Sequence, residues 1–182
     1  MFDLSTRHLT LKSKFLRLCW NLVNFFFVKF SPVHLHRWRI FILRQFGAQI
    51  PYDCWVYPSV SIWEPSNLVM GSKSTLGRDV TIYNCAEIKI GRHTTISQRT
   101  TLCTGTHTPK SSELSLNPSM ELKVAPIIVG NCCWITTEVF VHPGVEIGNN
   151  VVVGARSVVL NDLESDWTYG GFPAKKLSKR MD

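Results

Sequence analysis

The sequence predicts a mainly β protein, a parallel β-helix preceded by two helices, and three observations predict it. An aliphatic residue returns every six positions through most of the chain. One long interruption, Thr106 to Pro126, breaks the period. The whole net charge of +7 lies in the first 46 residues, which do not follow it.

The repeat is clearest at Val129, Ile135, Val141, Ile147, Val153 and Val159, with Gly130, Gly148 and Gly154 directly after three of them. Four places behind each aliphatic residue, except at the end, stands a small or β-branched one: Cys133, Val139, Val145, Val151, Ser157. Earlier sets are Ile50, Val56, Ile62, Leu68; then Met70, Leu76, Ile82, Ile88 with Ser74, Val80, Ala86; then Ile90, Ile96, Leu102 with Thr94, Thr100, Thr106. The register slips by two residues between sets, as corner insertions would make it. A helix needs apolar spacings of three and four, and a half-buried strand needs alternation. A period of six fits neither. It fits a coil with three flat sides per turn, one hexad per side, whose turns stack about 4.8 Å apart. The aliphatic residues then form one continuous inner ladder. Glycine after the aliphatic residue permits the corner, where positive φ or close backbone approach is cheap. A β-sandwich, whose strands vary in length and spacing, fits the constant period poorly.

Residues 10–46 read as two helices, with Ser31 and Pro32 as N-cap and first turn of the second and Gly47 as its stop. The first carries Leu11, Phe15, Leu18, Leu22, Phe25 and Phe26 on one face, flanked by Lys14 and Arg17. The second carries Trp38, Phe41, Ile42 and Phe46 among Arg37, Arg39 and Arg44. Residues 1–46 hold eight Lys or Arg against one acid, Asp3, whereas residues 47–182 hold twelve of each. A neutral body with a basic, aromatic front does not suggest nucleic acid. It suggests a cap over the open end of the coil, an interfacial contact with anionic membrane through residues 10–46, or both. The apolar run Leu18 to Val28, broken by Asn21 and Asn24, is shorter than a membrane span requires. No signal-peptide order is evident. The expectation is a cytoplasmic protein, at most peripheral on the inner face of the membrane. The six cysteines are scattered without C-x-x-C spacing and read as free thiols in a reducing compartment. The expected divisions are 1–47, helical, basic and aromatic; 48–165, the β-helix with its loop at 106–126; and 166–182, a C-terminal segment with a short helix.

Four segments, "SPVHLHRWRIFILRQFGAQI", "ISQRTTLCTGTH", "PIIVGNCCWITTEVFVHPGVEIG" and "VVGARSVVLNDL" with "GGFPAKKL" after it, carry a resemblance. They resemble the hexapeptide-repeat acyltransferases, and among these the exopolysaccharide O-acetyltransferases of the colanic-acid type. The resemblance implies a left-handed coil, although parallel crossovers are ordinarily right-handed. It implies a homotrimer with its sites between neighbouring subunits, and transfer of acetyl from acetyl-CoA to a sugar hydroxyl without a metal. His107, at the mouth of the long loop, matches the family's catalytic base. Histidine suits that task because it exchanges a proton near neutral pH, and direct transfer needs no Ser or Cys nucleophile. Asn84 and Trp134 match positions near the acceptor. Ala155, Arg156 and Ser157 match the coenzyme groove, and Lys175, Lys176, Lys179 and Arg180 supply cations for its phosphates. Leu160-Asn161 departs from the family's Thr-Lys, and Thr136 from its usual Gly. His8, His34, His36, His93 and His142 read as structural. Two other readings of the same coil compete. A zinc carbonic anhydrase needs three histidine ligands, and no second histidine lies between His107 and Pro126. A non-catalytic solenoid leaves His107 and the basic tail without a use.

Overall fold

Each hexad turns its aliphatic side chain inward and bends at the next residues, so three hexads close one turn of a coil. The computed structural model, which describes residues 11–108 and 121–180, contains about five such turns. Strands of two to four residues stack in parallel into three faces. Face one holds Trp55–Val56, Thr75–Leu76, Thr95–Ile96, Trp134–Ile135, Val152–Val153 and Trp167–Gly170. Face two holds Ser61–Ile62, Thr81–Tyr83, Thr101–Cys103, Phe140–Val141 and Val158–Val159. Face three holds Leu68–Met70, Ile88–Ile90, Ile127–Val129 and Glu146–Ile147. The inner ladders are buried, for example Val56, Leu76, Ile96, Ile135 and Val153 down face one.

The two-residue slips do not fall at corners. They fall within face three, where Leu68 and Met70, Ile88 and Ile90, and Ile127 and Val129 all point inward from three-residue strands. One long side therefore lengthens the early turns. Trp55 lies beside Thr75 and Thr75 beside Thr95, twenty residues on. Trp134 lies beside Val152, eighteen on. Thr104, not the expected Thr106, fills the inward position after Leu102. Cys103 pairs with Tyr83, which puts Thr104 on Asn84, and the chain leaves the coil immediately after it.

Of the repeat glycines, Gly130 and Gly148 answer the second of the two needs named for them. Positive φ at the corners falls on Lys73, Asp79, His93, Arg99, Cys132, Glu138, Asn150 and Arg156. What the glycines permit is stacking: a Cβ on Gly91 would lie 2.5 Å from the Gly130 carbonyl, and one on Gly130 2.5 Å from that of Gly148.

Helix α1 (Leu11–Val23) runs into a π-helical turn, Asn24–Lys29, and helix α2 (His36–Gln45) follows. They cap the first turn of the coil. Trp20, Val28, Ile40, Ile42 and Leu43 join its core, and the Trp20 indole donates to the Ile62 carbonyl at 2.9 Å. Gly47, at φ +93°, ends α2 in a Schellman turn, with Gly47 N–H on Arg44 O and Ala48 N–H on Leu43 O. The start of α2 differs from expectation. It begins after Leu35, and residues 31–35 instead wrap the guanidinium of Arg39, which is fully buried. That group donates to Val56 O, Ser31 Oγ, Pro32 O and Val33 O. Arg39 is therefore part of the cap and not of a charged surface.

The C-terminal segment is a hairpin, not the expected short helix. Trp167–Gly170 adds to face one, and Lys175–Lys179 returns antiparallel to it. Gly170-Gly171 and Pro173 turn the chain between them, and a helix could not continue through that sequence.

Candidate active site

The long interruption begins as an antiparallel hairpin. Gly105–Thr108 pairs with Glu121–Val124, His107 opposite Leu122, and residues 109–120 lie outside the described residues. Ala125 N–H returns to Thr104 O at 2.9 Å and closes the base. The hairpin thus leaves the coil at the corner between faces two and three, and His107 is exposed on it. Beneath it, a Cβ on Gly105 would meet Tyr83 Cε1 at 3.3 Å and Cys85 Sγ at 3.5 Å. Burial, reinforced by Cys85, raises the Tyr83 phenol above its ordinary value, and burial likewise raises the Cys85 thiol. Both stay protonated near neutral pH. Trp63 leans on Tyr83 with ring centroids 5.2 Å apart, and the Arg17 guanidinium lies 4.4 Å over Trp63. Trp63, Tyr83 and Cys103 form a column at the period of the early turns. Sequence reading missed it because that period emerges only once face three is known to be long.

Asn84 is fully buried at the same corner. Its Oδ1 accepts from Glu64 N–H at 2.9 Å, and its Nδ2 donates to Glu64 O at 2.7 Å. Both ends of the amide hold the preceding turn. His142, half-buried one turn beyond the hairpin, has Nδ1 3.2 Å from Pro143 O.

The other expected residues gather elsewhere, on face one and at the corner between faces one and two. Trp134 is exposed on face one, its indole donating to Ser97 Oγ at 2.9 Å. Ala155 and Arg156 are exposed at the corner. Arg156 donates to Glu138 at 2.7 Å, and Arg99 holds the other carboxylate oxygen at 2.8 Å. The Arg156 hydrogen bond, with the charge of Arg99, keeps the Glu138 carboxyl below its ordinary value. Ser157 points inward. It is buried, its hydroxyl donating to Gly154 O at 2.7 Å and accepting from Gly171 N–H at 3.0 Å. The hexad required this, because Ser157 occupies the small inward position. Gly171 O accepts from Val158 N–H, and Ala174 N–H donates to Val158 O, which draws the C-terminal hairpin against this corner. Lys175 and Lys176 follow directly. Lys176 pairs with Glu164 at 2.6 Å and lies 4.6 Å from the Trp167 ring centroid. Arg180 reaches Cys132 O at 3.4 Å.

No family model matches the chain. It is 43% identical over 152 residues to WcaF of Escherichia coli K12, named as a colanic acid biosynthesis acetyltransferase, covering 84% of this chain and 80% of that one. The chain belongs to the hexapeptide-repeat acetyltransferases. Among solved structures, this acetyltransferase superposes on VCA0836 of Vibrio cholerae, a hexapeptide-repeat acetyltransferase complexed with acetyl coenzyme A. The TM-score is 0.83 at 24% identity, covering 95% of this chain and 91% of that one. A galactoside acetyltransferase in complex with coenzyme A gives 0.79 at 26% identity, covering 91% and 81%. In the acetyltransferase described here, His107 and the set around Trp134, Ala155 and Arg156 leave the coil on opposite sides of face two. Within one chain the fold does not bring them together.

Proposed function

We propose that this protein transfers acetyl from acetyl-CoA to a sugar hydroxyl in exopolysaccharide synthesis. The observation that carries the reading is the hairpin: an otherwise unbroken repeat opens once, and a histidine stands exposed at the opening. His107 takes the proton from the attacking hydroxyl as that oxygen adds to the thioester carbonyl, then returns it to the departing sulfur. The transfer is direct. Two thiols lie at the hairpin base: Cys103 Sγ donates to Gly105 O at 3.1 Å, and Cys85 is held protonated by burial, which makes it a poor nucleophile. The Ala155–Arg156 corner and the cations Lys175, Lys179 and Arg180 suit an acyl carrier rich in phosphate. Trp134 offers an exposed aromatic face beside them. Asn84 and Ser157 serve by holding corners in shape rather than by touching substrate.

Because His107 and the cofactor corner stand apart in one chain, the working unit is a trimer in which the hairpin of one copy meets the corner of its neighbour. The kinship with WcaF and with the galactoside enzyme supports the sugar acceptor. Release of free thiol from acetyl-CoA, measured against sugars, nucleotide sugars and lipid-linked oligosaccharides, tests the reading. An acceptor-dependent signal is expected. Its absence across the panel, with coenzyme A failing to bind, would favour a structural solenoid.

A further inference from the structure

No helix among the described residues is long and apolar enough to cross a membrane, yet the cap exposes a run of large aromatics, Phe25, Phe26, Phe27, Phe30, Trp38 and Phe41. The π-helical turn swings three consecutive phenylalanines outward, and Phe26 and Phe30 remain 62% and 67% exposed. Phe25 meets both edge-on, with centroids 5.1 and 5.2 Å away. The turn is held in place: the Trp38 indole donates to Phe27 O at 3.0 Å, and Phe41 stacks beside Trp38. Lys29 and Arg37 are exposed around these rings. No acidic residue occurs between residues 11 and 52.

We propose that this cap docks on the surface of a bilayer bearing anionic phospholipid, with the phenylalanines and Trp38 in the interfacial layer and the cations against headgroup phosphates. Charge decides for lipid over a second copy. Two such faces pressed together would oppose cation to cation with no acid between them, whereas an anionic surface complements every charge present. Arg17 of α1 touches Trp63, which touches Tyr83 beneath the hairpin. The cap thus touches the corner from which the His107 hairpin leaves the coil. This suits an acceptor carried on lipid, an extension that rests on the acetyltransfer reading and that the binding test does not need.

The test is co-sedimentation of the full chain with vesicles of phosphatidylethanolamine and phosphatidylglycerol, and with vesicles of phosphatidylcholine alone. Binding to the anionic vesicles, weakened by salt, is expected. Each of Lys29→Gln and Arg37→Gln should weaken it by about fivefold. Phe26→Ser with Phe30→Ser should abolish the part that salt does not remove. These residues are exposed, and circular dichroism of each variant checks that the fold is kept. The proposal is overturned if anionic vesicles are not bound at low salt, or if neutral vesicles bind equally well. It is also overturned if the phenylalanine variant leaves binding intact but lowers the oligomer mass, which would make the face an interface between copies.

Discussion

Arg39 and His36 show how much a single buried polar residue organises here. The Arg39 guanidinium is held by carbonyls of the 31–35 turn and of Val56, with no carboxylate among its hydrogen-bond partners, and its ordinary affinity for a proton is lowered by burial. Arg39→Leu takes a donor from each of these carbonyls, at about 1–3 kcal/mol for each that is left dry. The variant should unfold at a clearly lower urea concentration, and an unchanged midpoint would mean that the turn carries no strain from the loss. His36 packs against Trp55, with its Nδ1 near both Val56 O and Arg39 Nη2. Burial, and then the Arg39 charge, lower its proton affinity below the ordinary value of 6.5. The unfolded chain therefore takes up a proton that the folded one refuses, and stability falls as pH drops below about 6.5. Thermal melts from pH 7.5 down to pH 5 should show this slope, and His36→Gln should flatten it. His36 read as structural, without its partners, whereas the place of Arg39 was not legible in the sequence. Arg39 read as one more surface cation, because its partners are backbone carbonyls that no pattern announces. The inward hydrogen bonds of Asn84 and Ser157 were illegible for a related reason: a motif places a residue at a corner without saying which way its side chain faces.

The hexad was legible because one side chain in six is forced inward and nothing else has that period. What the period could not say was how one turn sits on the next. The first three strands of face three each hide two inward residues, so a slip that resembles a corner insertion is a longer side. The glycines separate into two groups on the same ground. Gly130→Ala drives a Cβ to 2.5 Å from the Gly148 carbonyl and should cost about 1–3 kcal/mol, whereas the nearest atom to a Cβ on Gly154 is 3.4 Å away. Gly154→Ala should melt within a few degrees of the parent, and calorimetry of the pair separates stacking from conformational freedom. Val141 is fully buried in face two, and Val141→Asp should prevent recovery of soluble protein because its carboxylate has no partner. The C-terminal hairpin escaped sequence reading because Trp167–Gly170 continues face one while the residues after it reverse direction, outside the repeat.

The coil, its cap and its hairpins place the proposed catalytic and cofactor residues at different corners of one molecule. The hairpin bearing His107 stands where faces two and three meet. Arg156 and the C-terminal hairpin gather where faces one and two meet. On the proposed trimeric reading, light scattering should give a native mass of about three chains of 20.7 kDa, and a monomer that is fully active would contradict the arrangement. The most direct test is single-turnover thiol release from acetyl-CoA with a competent acceptor, comparing the parent with His107→Ala at matched oligomer mass. Proton transfer by a positioned base is worth about 10²–10⁴ in rate. A loss in that range with coenzyme A affinity unchanged is the predicted result. Transfer at the parent rate from a folded, trimeric His107→Ala protein would contradict the account.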